Sequence, residues 1–330
     1  MVEVIEIPHT VNGARLKSKR ALQADVILRW SLRFTAVAVL VALGYFFVRL
    51  AITAEPAFSR FGIFGFVFTN NWDVAHNIFG AWPLVVGTLI TSMVALVLGV
   101  PVAIAAALYV TEFAPARLRS TLALLLDLLA AIPSVVYGLW GVFILIPDLK
   151  PAEQWFSNTF SFLPFVGGQV SGPNYFIAGL ILAIMIIPIV SAVSREVLNT
   201  VPLQEKEGAL ALGATRWEMI RLAVLPRSKA GITSAAMLGL GRAIGETIAV
   251  TLVIGSAPVI GHQIFNQGYT LAAVIANEFG EATPGSLHIS ALIAAGLVLL
   301  VLTLVVNGIA RGIVIRTDRK RSSITDQVVA

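Results

Sequence analysis

The chain has 330 residues, of which 57% are hydrophobic and only 12% are charged, and its formal net charge is +5. This composition is too apolar for a water-soluble domain of that length and indicates an integral membrane protein. The chain contains no cysteine, which excludes disulfides, thiolate metal sites and a cysteine nucleophile, and its four histidines are not spaced as metal ligands. We therefore expect no metal and no other cofactor.

Six apolar stretches are long enough to cross a bilayer core, which requires about 20 residues of helix. They centre on residues 34–54, 82–110, 120–147, 174–194, 230–256 and 288–312. The apolar core of the first stretch is longer than that of a signal peptide, so we interpret it as a retained helix. The sequence therefore predicts an all-α integral membrane protein with six transmembrane helices.

The distribution of basic residues predicts the orientation, because loops rich in Lys and Arg are retained in the cytoplasm. Nineteen of the 23 Lys and Arg residues fall in the two tails and in the loops after the second and fourth helices. Both termini are therefore expected in the cytoplasm. We expect these segments: a cytoplasmic basic tail, 1–33; the first helix and an outer segment, 34–81; a five-helix core, 82–312, with a cytoplasmic loop, 195–229; and a second basic tail, 313–330.

The longest outer loop, 148–173, is rich in residues that favour turns. We interpret it as a connector between helices. The alternative to a mere connector is a loop whose Phe160, Phe162 and Phe165 side chains enter the membrane interface.

The loop between the fourth and fifth helices carries the sequence EGALALGATRWEMIRLAVLP, residues 207–226. Asn199 or Thr200 can cap a first short helix, and Gly213 suits the left-handed residue that ends it. Residues 215–218 read as a capping box that starts a second helix, which Pro226 is expected to stop. The sequence predicts a helix, a tight turn and a helix.

This pair of short helices suits a protein partner better than a nucleic acid. Leu210, Trp217 and Met219 are expected to be exposed and to fit a groove on a soluble partner. The acidic and basic residues balance, which leaves no electrostatic attraction for phosphates; they are Glu205, Glu207 and Glu218 against Lys206, Arg216 and Arg221. We therefore expect no binding to nucleic acid.

Five residues of this loop match a known motif. Glu207, Ala209, Gly213, Leu225 and Pro226 fall at the positions of E-A-A-x3-G-x9-I-x-L-P, which resembles the motif of permease subunits of ATP-binding-cassette (ABC) importers. Two positions depart from it, because Gly208 replaces the first Ala and Ala223 stands where Ile is usual. The resemblance implies the type I ABC importer permease fold. It also implies an ATPase-docking surface at Glu207, Gly208, Ala209, Gly213, Leu225 and Pro226.

Two further stretches narrow the resemblance. AAIPSVVYGLWG at 130–141 and GLGRAIGETIAVTLVIG at 239–255 resemble the phosphate-importer permeases, specifically the C-type member of an unlike pair. This resemblance covers 82–312. It implies a multi-pass protein of the bacterial plasma (inner) membrane that forms half of a pore with an unlike permease subunit. It also implies that two ATP-binding subunits dock in the cytoplasm and that an extracytoplasmic phosphate-binding protein delivers the substrate.

The sequence does not predict an enzyme. It contains no phosphate-binding loop of the type G-x-x-x-x-G-K-[ST], so we expect no ATP hydrolysis by this chain. Two alternatives to a phosphate permease stay open. One is the same kind of importer acting on another oxyanion or small solute, and the other is a carrier or channel that works without an ATPase.

Three ionisable residues lie within predicted spans, where each is costly unless it pairs or faces water. Asp127 is expected either to pair with a polar neighbour or to contact a gate. Arg242 and Glu246, on one face of the fifth helix, either form an intrahelical ion pair or line the substrate pathway. Gly241 and Gly245 predict close helix packing, a narrow conduit, or both.

Overall fold

The computed structural model describes residues 19–163, 165–166, 170–258 and 263–329. The first 18 residues of the predicted N-terminal tail and the last residue of the predicted C-terminal tail lie outside this range, as do parts of two loops that the sequence predicts to be outer loops. The chain divides into two units, Met1–Ile52 and Thr53–Ala330. Each unit is described by itself.

The described part of the chain is almost entirely helical. The helices are α1 (Lys19–Phe61), α2 (Ile63–Phe68), α3 (Trp82–Leu108), α4 (Ala116–Ala130), α5 (Ser134–Trp140), α6 (Ile146–Thr159), α7 (Tyr175–Asn199), α8 (Leu203–Ala211), α9 (Arg216–Met219), α10 (Leu225–Gly245), α11 (Ile248–Val253), α12 (Leu271–Glu278) and α13 (Leu287–Val329). Two short antiparallel strands, β1 (Trp72–Asp73) and β2 (Ile78–Phe79), form a hairpin. Three π-helical turns follow α3, α5 and α9, at Tyr109–Phe113, Gly141–Leu145 and Ile220–Val224.

Five helices in the described residues are long and apolar enough to cross a membrane. They are Val26–Phe61, Trp82–Phe113, Ser134–Thr159, Tyr175–Asn199 and Leu287–Gly312. In the first unit, α1 exposes its side chains on every face from Val26 to Arg49. An apolar helix without a polar face suits an apolar surrounding rather than water.

Helix α7 forms the centre of the second unit and packs mainly against α3 and α10. Its inward side chains, among them Ile181, Leu182 and Ile186, are almost fully buried. Helices α3 and α7 approach each other closely at Gly179, where an added Cβ would lie 2.5 Å from the Val94 side chain. A side chain at this position would therefore separate the two helices.

The predicted third helix, 120–147, is not continuous. The chain leaves the helical conformation after Ala130, and Pro133 adopts an extended conformation with ψ of 140° before α5 begins. Proline has no N–H to donate and displaces the preceding residue from the helical region. The Tyr137 hydroxyl bridges the break by donating to the Leu129 carbonyl at 3.0 Å.

The predicted connector 148–173 is partly helical, because α6 continues to Thr159. Its buried Glu153 accepts hydrogen bonds from the Asn174 amide at 3.2 Å. Asn174 also caps α7 by accepting from the Ile177 N–H at 2.8 Å. Asn174, at the start of α7, thus holds α6 on the helix bundle through Glu153, which lies 21 residues earlier in the chain.

The prediction that Pro226 stops a helix is wrong. Pro226 lies in the first turn of α10, directly after the π-helical turn Ile220–Val224. Proline is tolerated in a first turn because the N–H there has no intrahelical acceptor to lose. The chain therefore passes from α9 into α10 without a loop.

Candidate functional site

The two short helices α8 and α9 meet at the predicted tight turn. Gly213 has φ of +87°, and its N–H donates to the Leu210 carbonyl at 3.0 Å. The Thr215 hydroxyl accepts from the Glu218 N–H at 3.3 Å, and the Glu218 carboxylate accepts from the Thr215 N–H at 2.8 Å. The left-handed glycine and the capping box are therefore confirmed. The Thr215 N–H also lowers the pKa of Glu218 below its usual value.

The predicted cap of the first short helix is wrong. Asn199 is the last residue of α7, and Thr200 follows it as the C-terminal cap. Helix α8 begins only at Leu203, after an extended Pro202. The proline explains the shift because it disfavours the helical conformation in the residue before it.

Motif residues anchor the α8–α9 pair to the bundle. Ala209 and Leu225 pack against a buried cluster that includes Ala107 of α3 and Leu198 of α7. Met219 belongs to the same cluster and is only 6% exposed, so its predicted exposure is wrong. Met219 follows the capping box on the face of the helix that meets α3 and α7, a contact that local sequence does not reveal.

Other apolar residues of this pair are solvent-exposed. Trp217 is 59% exposed and Leu210 is 43% exposed, as the sequence predicts. Leu212, which the sequence analysis did not single out, is 91% exposed. Three apolar side chains on one small surface fit a protein partner better than water.

The loop after α3 and the helix α8 form one polar surface. The Lys206 ammonium lies 2.6 Å from the Glu112 carboxylate, and both side chains are mostly buried. Glu207 is exposed and lines a shallow pocket of about 420 Å³ together with Arg119 and Arg216. The two basic loops that the sequence assigns to one side of the membrane thus lie at the same end of the second unit.

A second candidate site surrounds Arg242. A cavity of about 540 Å³ is lined by Arg242 and Gly241 of α10 and by Asn307 of α13, with Ser234 and three apolar residues, Ile189, Met237 and Leu238. Among the residues that the structure describes, Arg242 forms no ion pair. The Ser234 hydroxyl donates to the Ala230 carbonyl at 2.9 Å, so the donors that the cavity offers to an anion are the Arg242 guanidinium and the Asn307 amide.

Arg242 and Glu246 do not share one helix face. Helix α10 ends at Gly245, and Glu246 is extended with ψ of 129°. The Glu246 carboxylate instead lies 3.5 Å from the Ala249 N–H in the first turn of α11. The predicted intrahelical ion pair is therefore absent, because the backbone turns between its two members.

The glycines near Arg242 are not packed against another described helix. A Cβ at Gly245 would meet no described atom within 4 Å, and a Cβ at Gly241 would meet only the Asn307 amide at 3.8 Å. The described part of the chain therefore does not confirm close packing at the G-x-x-x-G motif, which stays a prediction. Gly241 lines the cavity instead.

Asp127 pairs with a residue that the sequence analysis did not connect to it. Its carboxylate lies 2.7 Å from the Arg195 guanidinium, and this contact joins α4 to α7. The Arg195 side chain is 12% exposed, whereas that of Asp127 is 57% exposed. Asn307 was also missed, and the only sequence signal for it is an amide within the last apolar stretch.

The chain is similar to known transport proteins over most of its length. Residues 99–319 match a family described as the binding-protein-dependent transport system inner membrane component. The phosphate transport system permease protein PstC of Pasteurella multocida is 41% identical over 90% of this chain and 93% of its own length. PstC 2 of Mycobacterium tuberculosis is 46% identical over 71% of this chain and 74% of its own length.

A solved structure shows the same fold at lower identity. A bacterial alginate ABC transporter, in complex with an alginate pentasaccharide-bound periplasmic protein, aligns with a TM-score of 0.57 and 19% identity over 89% of this chain and 98% of that one. This chain, with its broken helices and its exposed α8–α9 pair, therefore has the type I ABC importer permease fold. The chain belongs to the family of inner-membrane components of binding-protein-dependent transport systems, together with the PstC permeases that resemble it over most of its length.

Proposed function

We propose that this chain is a transmembrane permease subunit of an ATP-driven importer of inorganic phosphate. It forms half of the translocation pore and docks the ATPase. The observation that carries the proposal is the 41% identity to a phosphate transport permease across 90% of this chain. Similarity at this level over almost the full length favours the same kind of substrate.

The partners follow from this role. An unlike permease subunit completes the pore, two ATP-binding subunits dock on the cytoplasmic side, and an extracytoplasmic phosphate-binding protein delivers the substrate. The chain itself provides no ATPase site. It lies in the bacterial inner membrane with both termini in the cytoplasm.

The docking residues divide into three roles. Glu207 and Gly208 are exposed and contact the ATPase. Ala209 and Leu225 anchor the pair of helices to the bundle, and Pro226 starts α10. Gly213 sets the angle between α8 and α9 through its positive φ.

Arg242 contacts phosphate along the pathway. Its guanidinium is exposed in the single chain and lines the cavity with two other polar side chains, Ser234 and Asn307. A planar guanidinium donates two parallel hydrogen bonds to an oxyanion. Because an ionised side chain within a span is costly unless it has a partner or faces water, the absence of a described ion partner favours a role in the aqueous pathway.

Glu246 and Asp127 act beside this contact. Glu246 stabilises the break between α10 and α11, which places Arg242 at the last turn of α10. Asp127 borders the pathway while its ion pair with Arg195 fixes α4 to α7. Both residues therefore shape the pathway rather than bind the substrate directly.

The test is uptake of radiolabelled phosphate into proteoliposomes that contain this chain and its partners. We expect uptake that requires both ATP and the binding protein, and that excess unlabelled sulfate does not suppress. Uptake of sulfate but not phosphate would contradict the proposal that phosphate is the substrate. Phosphate uptake that is independent of the ATPase would contradict the mechanism.

A further inference from the structure

A buried polar contact joins three elements at the end of the second unit opposite to α8 and α9. The Glu278 carboxylate, at the end of α12, accepts from the Trp72 indole N–H at 3.0 Å. The same carboxylate oxygen lies 2.8 Å from the His288 imidazole in the first turn of α13. The side chains of Glu278 and His288 are 16% and 11% exposed. One carboxylate thus links the β1–β2 hairpin, α12 and α13.

Aromatic contacts extend this link across the hairpin. Trp72 and Phe79 are paired across the two strands, and their rings meet at 5.0 Å. The Phe79 ring also stacks on the His288 ring at 5.5 Å with an angle of 7° between the planes. The two inward side chains of the hairpin therefore meet the same pair of residues from two sides, because Trp72 donates to Glu278 and Phe79 stacks on His288.

The hairpin depends on these contacts for its position. Each strand has only two residues, and a two-stranded hairpin is marginally stable on its own. The turn between the strands is exposed from Val74 to Asn77. Ala81, which follows β2 by two residues, is fully buried, and its N–H donates to the Phe66 carbonyl of α2 at 2.7 Å. Loss of the contact at Glu278 would therefore loosen the hairpin, which would keep the ring contacts of Phe79 with Phe61 and His288 and of Trp72 with Phe66.

The opposite end of α12 is fixed independently. The Leu271 N–H donates to the Thr88 hydroxyl of α3 at 3.1 Å, and a Cβ at Gly87 would collide with the Tyr269 carbonyl. At the Glu278 end, the neighbouring Asn277 amide donates to the Ser256 hydroxyl at 3.0 Å, which connects α12 to the turn after α11. The segment from α11 to α12 is thus held at several points, and Glu278 is the point at which the hairpin joins it.

We propose that Glu278 is a latch that holds the β1–β2 hairpin closed over the junction of α12 and α13, and that it is a positioning residue for transport. The latch acts on the segment that follows the break at Glu246. It contacts none of the residues that line the Arg242 cavity. The role in transport rests on the proposed function, whereas the latch itself does not.

The latch can be tested without transport. Because the chain has no native cysteine, Ala81→Cys gives this chain a single thiol, at a buried position two residues after the hairpin. In the complete complex in proteoliposomes, we expect slow labelling of this thiol by a membrane-impermeant maleimide. Glu278→Gln should speed the labelling up to about tenfold, because the amide oxygen can still accept from the Trp72 N–H but lacks the charge that strengthens the bonds to Trp72 and His288. Trp72→Phe, which keeps an aromatic ring, should have the same effect to a smaller extent.

The matched control is Glu281→Gln, an exposed carboxylate three residues further on that has no ion pair among the described side chains. Its labelling rate should equal that of the Ala81→Cys parent. Equal rates in the Glu278→Gln and Glu281→Gln proteins would overturn the latch. If the Glu278→Gln protein fails to assemble, the smaller change in Trp72→Phe decides the question in the same way.

Transport distinguishes a positioning residue from a merely structural one. With the Glu278→Gln complex intact, we expect a lower maximal rate of phosphate uptake with little change in the phosphate-binding-protein concentration that gives half-maximal uptake. Faster labelling together with an unchanged maximal rate would overturn the positioning role. Failure of the wild-type complex to import phosphate would instead contradict the proposed function and leave the labelling result valid.

Discussion

The substitution Gly213→Val tests whether the backbone at the α8–α9 turn sets the docking geometry. Gly213 has φ of +87°, and a Cβ at this position would meet no described atom within 4 Å. The substitution therefore creates no clash within the described chain. Its entire cost comes from placing a β-branched residue in the left-handed region.

The magnitude follows from this conformational cost. A residue with a Cβ pays about 1–2 kcal/mol in the left-handed region, and a β-branched residue pays more. At about 1.4 kcal/mol per tenfold change, the native turn should be at least about 5- to 30-fold less favoured than in wild type. The hydrogen bonds from the Gly213 and Ala214 N–H groups to α8 would then be weakened with it.

The assay is the ratio of ATPase to permease after purification of the complex in mild detergent. Gly208→Ala is the matched control, because it gives this exposed position of α8 the alanine that the ABC importer motif has there, and the added methyl group would meet no described atom within 4 Å. Alanine is favoured over glycine within a helix by about 1 kcal/mol, so this variant should keep or strengthen ATPase binding. Gly213→Val should lose most of the ATPase.

A wild-type ATPase ratio in Gly213→Val, with normal ATP-driven uptake, would refute this reasoning. Loss of ATPase in both glycine variants would also refute it, because the control changes side-chain volume at the same surface without straining the backbone.

Three further predictions concern the other residues of the two sites. Glu246→Gln should slow or uncouple phosphate uptake without loss of the folded subunit from the membrane, because the residue shapes a break rather than a core contact; uptake and membrane abundance are the measurements. Asp127→Asn should lower the thermal stability of the purified complex by about 1 kcal/mol, because it removes the charge that pairs with the mostly buried Arg195. The pKa of Glu218 is lowered by its bond to the Thr215 N–H, so the cap contributes fully above the usual carboxyl pKa of about 4.3 and is lost as the pH falls through the lowered value. Amide hydrogen exchange at Thr215, corrected for intrinsic rates, should lose protection only in that acid range, and Glu218→Gln should remove its pH dependence because it removes the titrating carboxylate.

Local chemistry made part of the docking loop predictable. The left-handed Gly213 and the capping box at Thr215 depend on residues within four positions of each other, so the sequence contains the whole interaction. The burial of Met219 was not predictable in this way. It depends on contacts with α3 and α7, which lie far away in the chain.

Of the two helix breaks, the one at Pro133 has a local signal in the sequence, and the one at Glu246 depends on tertiary contacts. Pro133 signals its break because proline lacks an N–H, although the sequence also allowed a kink. The break at Glu246 has no such signal, since glutamate is a good helix former. It depends on the capping of α11 and on the packing of α11 against α5. A pairing such as that of Asp127 with Arg195, 68 residues apart, likewise requires the fold.

The most direct test of the account is phosphate uptake by Arg242→Gln in the reconstituted complex. Arg60→Gln, which removes an exposed arginine outside the cavity, is the matched control. We predict that Arg242→Gln abolishes ATP-driven phosphate uptake while membrane insertion and the ATPase ratio stay at wild-type values, and that Arg60→Gln transports normally. Uptake near the wild-type rate in Arg242→Gln would contradict a pathway through this cavity.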